Sequence, residues 1–166
     1  MDIGITITGA ILIAICILPF VLMGRNSRKQ EKLLFQSLSN IAAKQNCKIT
    51  QHECCEEYII GLDEPSKILF FFKRVKDKEI SQYINLAEIQ DCKIVNTSRS
   101  NGDEKIIDKL ELSLLPSLKN KANIVLELYN SDERMQLGDD FLLIERWAKK
   151  INELLKLNNQ HINQLV

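Results

Sequence analysis

The chain has 166 residues, 45% of them hydrophobic and 27% charged, which is enough for one domain plus a short appendage but not for two full domains. Its 22 basic and 22 acidic residues cancel to a net charge of 0, which argues against a strongly basic nucleic-acid binder and against an acidic disordered tail. With 6 Gly and 3 Pro, it is not a low-complexity linker either.

The charge is segregated. Ile3 to Met23 carry none, a run long enough for a membrane helix of about 20 residues. Thr6 and Thr8 can bond back to helix carbonyls, and bilayers tolerate a kink at Pro19. A cleaved signal peptide fits poorly, because the start is Met1-Asp2 and no small-residue cleavage site follows. A lipoprotein signal fits poorly too: Ile15 precedes Cys16 where a small residue is needed, and the apolar run continues beyond it. A buried core helix would show a polar face over this length.

Arg25, Arg28, Lys29 and Lys32 follow the run, opposed only by Glu31, whereas Asp2 alone precedes it. The positive-inside rule then predicts a single-pass protein of the cell (inner) membrane, with its N-terminus outside and residues 25–166 in the cytoplasm. Cys47, Cys54, Cys55 and Cys92 form no disulfide framework, which suits a reducing compartment.

Past the run, Leu34, Phe35, Leu38, Ile41 and Ala42 recur at helical spacing and predict a helix over Lys29 to Gln45. Its stripe can pack within the chain, or Leu34, Phe35, Leu38 and Ile41 can serve as an interaction surface for a second copy. Strand-like runs follow at Glu57–Leu62, Lys67–Arg74, Ile80–Leu86, Cys92–Val95, Lys109–Leu114, Ile124–Leu128 and Arg134–Leu137. Asp63–Ser66, Val75–Lys78 and Ser131–Glu133 read as turns, and Thr97–Glu104 as a polar loop. Phe70, Phe71 and Phe72 cannot all face one side of a strand, so at least one should lie on the outer face, either covered by the Lys29–Gln45 helix or exposed as a protein-binding spot.

The period then changes. Gly138-Asp139-Asp140 opens a helix with an Asp as N-cap. Phe141, Ile144, Trp147, Ala148, Ile151, Leu154 and Leu155 form its apolar stripe, and fraying is expected from Asn158. The expected organisation is an anchor over 1–24, a juxtamembrane amphipathic helix over 25–46, a barrel with its helix over 47–158 and a tail over 159–166.

Seven antiparallel strands closed by one amphipathic helix carrying Glu145-Arg146-Trp147-Ala148-Lys149-Lys150-Ile151 resemble the pleckstrin-homology-like superfold, and bacterial membrane-anchored proteins of that kind in particular. The resemblance implies an α+β fold: a transmembrane helix, an amphipathic linker helix and a partly open barrel capped by the C-terminal helix. It implies that Trp147 and Ile151 face the barrel as structural residues. The first hairpin loop is acidic, Asp63-Glu64-Pro65-Ser66, so the phosphoinositide binding of some members does not carry over.

No P-loop, dinucleotide fingerprint, nucleophile elbow or zincin pattern is present. Cys47, His52, Cys54 and Cys55 are ligand types for zinc, but their spacing matches no knuckle or ribbon, and adjacent cysteines in a strand point to opposite faces. Two basic clusters, Arg25, Arg28, Lys29 and Lys32, then Lys73, Arg74, Lys76 and Lys78, are candidate contacts for anionic lipid. The expectation is a non-enzymatic module without metal, cofactor or small-molecule substrate. It would bind the bilayer and either another membrane or cytoplasmic protein or its own copy, and not nucleic acid. The alternative is an anionic-lipid-sensing peripheral domain, and a metal-dependent enzyme or zinc site is remoter still.

Overall fold

The computed structural model describes residues 28–101, 104–118 and 120–163. They form helix α1 over 28–44, seven strands and a second helix, α2, over Asp140–Asn163. The strands are β1 Gln51–Cys54, β2 Tyr58–Asp63, β3 Ile68–Val75, β4 Lys78–Asn85, β5 Ile89–Asn101, β6 Glu104–Pro116 and β7 Ile124–Asn130. All pairings are antiparallel, in a four-stranded sheet ordered β1-β2-β3-β4 and a three-stranded sheet ordered β5-β6-β7.

This corrects the expected architecture in several respects. The strands make two sheets, not one partly open barrel, because the chain turns out of the first sheet through the short 3-10 turn Leu86–Glu88 before β5 begins. No helix among the described residues is long and apolar enough to cross a membrane, and the run from Ile3 to Met23 lies outside them. The seven strands are also not the seven expected. Gln51–Cys54 is a strand, whereas Arg134–Leu137 is not. The polar stretch after Val95 continues β5 and β6 as a long hairpin, whose last described pair is Asn101 with Glu104. Helix α2 runs on to Asn163 rather than fraying from Asn158.

Strands β2 and β3 are buried on both faces, and this explains their near-continuous apolar sequence. Tyr58, Ile60, Leu62, Leu69 and Phe71 point inward, against Leu110, Leu112, Leu114, Leu126 and Leu128 of the second sheet. Helix α2 closes this core with Ile144, Trp147, Ile151 and Leu155; Trp147 and Ile151 are 3% and 0% exposed. Phe141, assigned to the same stripe by its spacing, is half-exposed at the first turn, and Leu143 is buried in its place.

On the opposite face, Ile59, Phe70 and Phe72 meet Leu34, Leu38 and Ala42 of α1. The alternation of β3 therefore sends Phe71 inward and its two neighbours outward, under α1. Gly61 permits this close approach: a Cβ there would lie 2.7 Å from Leu38 Cδ2 and 3.3 Å from the carbonyl oxygen of Gln51. Helix α1 ends in a Schellman motif, with Asn46 at φ 55°, Asn46 N–H bonding Ala43 O and Cys47 N–H bonding Ala42 O. It is thus part of the folded body and not a free linker.

One side chain substitutes for a strand. Asn152 of α2 donates to Cys92 O at 2.8 Å and accepts from Cys92 N at 3.1 Å, occupying the outer edge of β5 at that residue.

Candidate functional site

A concavity of about 830 Å³ runs along β1. Strand β1 is the outer member of its sheet, paired on one side only. Cys55 N–H bonds Tyr58 O at 2.9 Å to close the β1–β2 hairpin. Hydrogen-bonded pairs alternate along an antiparallel ladder, so Gln51 and Glu53 also bond β2, while the backbone N–H and C=O of His52 and Cys54 face the other way. No hydrogen bond to those groups occurs among the described residues.

The two helices form the walls. On the outer side, α1 contributes Gln30 and Glu31, and Phe35 packs on the His52 ring with centroids 4.5 Å apart. On the inner side, α2 contributes Leu143 and Arg146, with Asp139 just before its first turn. Arg146 bonds Glu53 at 2.8 Å and ties that wall to the strand. A smaller hollow of about 80 Å³ continues the groove past Gln51 to Trp147 and Lys150.

A buried polar cluster anchors one end. Asp140, fully buried, pairs with Arg134 and accepts from Gly138 N at 3.0 Å and from the Cys55 thiol at 3.3 Å. Arg134 also reaches Glu56 at 3.5 Å. Burial raises the Arg-flanked Cys55 thiol above its ordinary pKa, with the Asp140 charge adding to the effect. Burial likewise pushes Cys54 and Cys92 up to about 12. These thiols are therefore held protonated and are poor nucleophiles. Iodoacetamide at about pH 8 should label Cys54 and Cys92 in the folded chain hundreds of times more slowly than in urea, as read by mass spectrometry; equal rates would show the burial to be lost in solution.

The zinc-type residues do not converge. Cys54, the last residue of β1, packs toward the α1 face, and Cys55, just after it, toward the inner core. No group of residues suited to hold a metal occurs among the described residues.

The basic clusters fare unevenly. Arg28, Lys29 and Lys32 are exposed on the first turns of α1, and Arg25 lies outside the described residues. Lys73 is 1% exposed, donates to Glu127 at 3.0 Å and forms an ion pair with Glu133 at 2.7 Å, so it is no membrane contact. Arg74 pairs with Glu79 at 2.7 Å and lies over the Phe72 ring. Only Lys76 and Lys78 of that cluster remain on the surface without such pairing. Of the suggested interaction surface, Leu34 and Leu38 are buried against their own sheet and Ile41 is half-buried beside them; Phe35 is the exposed member.

The groove residues Glu31, Glu53, Glu56, Arg134, Asp139 and Arg146 escape sequence reasoning because they come from four separate segments. Comparison with protein-family models, curated proteins and solved structures gave no match. The resemblance to pleckstrin-homology-like proteins thus stays a reading of the sequence.

Proposed function

We propose that this chain is a non-enzymatic, membrane-held module that binds another protein. The observation that carries the reading is the groove along β1, in which unpaired backbone groups of an edge strand lie between two helices. An open edge is a ready template for pairing with another chain, and natural proteins usually cover it. The uncharged run Ile3 to Met23 and the four bases after it support attachment to a membrane with the groove-bearing part on the cytoplasmic side. Tethering raises the effective concentration of the module for any partner in the same membrane, so modest contacts suffice.

Self-association through α1 is the weaker reading, because Leu34 and Leu38 are already spent inside the chain. Anionic lipid is weaker as well, because Lys73 and Arg74 are engaged by carboxylates. The test is to extract the full chain from its native membrane in mild detergent and to weigh and identify what co-elutes. A stoichiometric second protein is the expected result. The chain alone, carrying only lipid, would overturn the proposal.

A further inference from the structure

We infer that the groove takes an extended, basic peptide segment of the partner, which adds to the first sheet as a strand beside β1. The inference rests on the binding-module reading and gives it a chemistry. The free N–H and C=O groups of His52 and Cys54 sit on the groove side of the ladder, which is the hydrogen-bonding pattern that strand addition needs. Successive side chains of an added strand point alternately to the α1 wall and the α2 wall.

The charge selects the occupant. Both arginines in the groove are taken, Arg146 by Glu53 and Arg134 by Glu56 and buried Asp140. Glu31 on the α1 wall and Asp139 on the α2 wall form no ion pair among the described residues, and both line the groove. The partial positive charge at the start of α2 is answered by Asp139 and Asp140 rather than left to attract an anion. Asp139 also lies within reach of the Arg146 charge, and Lys150 stands farther along in the smaller hollow. In the main hollow acidic side chains still outnumber basic ones, Glu31, Glu53, Glu56 and Asp139 against Arg134 and Arg146, so Lys or Arg at alternating positions of the peptide meets a carboxylate whichever wall it faces. Acidic segments meet repulsion.

The test uses the full chain in mild detergent and a short fluorescent peptide in which Lys and Arg alternate with β-branched residues, read by anisotropy. Its Glu-substituted counterpart is the control. The basic peptide should bind and the acidic one should not. Methylating alternate backbone nitrogens of the peptide should weaken binding by about tenfold or more in one register and little in the other, the cost of lost strand hydrogen bonds. This readout leaves the protein unaltered. In the protein, His52→Pro removes one outward N–H without touching the β2 ladder and should have a similar effect. Glu31→Gln with Asp139→Asn should weaken binding and flatten its salt dependence.

Equal binding of both methylation registers, or of the acidic peptide, overturns the inference. So does failure of the basic peptide to bind while a protein partner still co-elutes; in that case the binding-module reading stands and only the strand-addition chemistry falls.

Discussion

The double substitution Glu127→Gln with Glu133→Gln should destabilise the fold by about 3–5 kcal/mol, because it leaves Lys73 buried with only the more distant Glu57 carboxylate as counter-charge. Lys73 lies at the mouth of the space between the two sheets, 1% exposed, 3.0 Å from Glu127 and 2.7 Å from Glu133. The carboxylates are about a quarter exposed and the ammonium is not, so the three groups do not share the cost equally. Lys73→Met alone should cost less, since it removes the buried charge and leaves two anions that water still reaches. Adding Lys73→Met to the double variant should recover most of the loss, as replacing a whole buried ionic cluster with an apolar side chain is often neutral. Urea unfolding of the three variants decides the matter. A double variant within about 1 kcal/mol of the parent would show that water reaches Lys73.

The same cluster has a pH signature. Burial pushes the Glu127 carboxyl up, but the hydrogen bond and charge of Lys73 outweigh it and hold the group below its ordinary 4.5. A depressed folded-state value stabilises the fold above the unfolded value. That contribution is complete above about 4.5 and is lost as the pH falls through the lower, folded value. The acid limb of the stability profile should therefore flatten in Glu127→Gln.

Asp140→Ala is the second large effect, at about 3–5 kcal/mol. The fully buried carboxylate holds Arg134, the Gly138 N–H and the Cys55 thiol together, and so pins the connection from β7 to α2 onto the β1–β2 turn. Without it, Arg134, 12% exposed, keeps the longer contact to Glu56, its place over the Tyr129 ring and the more distant charge of Glu57. Asp140→Asn retains an acceptor for Gly138 but not the charge, so it should fall between the parent and Asp140→Ala. Near-equal unfolding midpoints for all three would mean that Arg134 finds full compensation elsewhere.

What was legible in the sequence followed periodicity. The spacing of Leu34, Leu38 and Ala42 gave α1, and the three consecutive phenylalanines placed at least one ring on the outer face of β3, where α1 covers two of them. The stripe through Trp147 and Ile151 gave the capping face of α2. What failed were segments whose structure is set by their neighbours. Gln51-His52-Glu53-Cys54 has no strand pattern, being a short edge strand with half its groups in solvent, and it is extended because β2 offers it a ladder. Thr97 to Ser100 are polar because both faces of β5 are wet there, and polarity without alternation reads as a loop although the stretch is strand. Arg134 to Leu137 alternates like a strand, but Arg134 is drawn to Asp140 and Met135 is left 96% exposed. The basic clusters illustrate the same limit: proximity of Lys73 to Lys76 and Lys78 along the chain says nothing of which face each occupies, and alternation turned Lys73 inward.

The Asn152 clip has a consequence for biogenesis. Its two bonds join groups 60 residues apart, and α2 follows all seven strands. During synthesis β5 therefore leaves the ribosome well before the side chain that guards it. Through that interval the strand is a sticky end, with half-exposed Ile94 two residues beyond the unguarded Cys92, able to pair with any nascent neighbour. Translation arrested before Asn152 would yield a chain with all seven strands present but its core partly uncovered and its stopper missing. Quality control would meet that product as an aggregation seed rather than as a merely shortened protein.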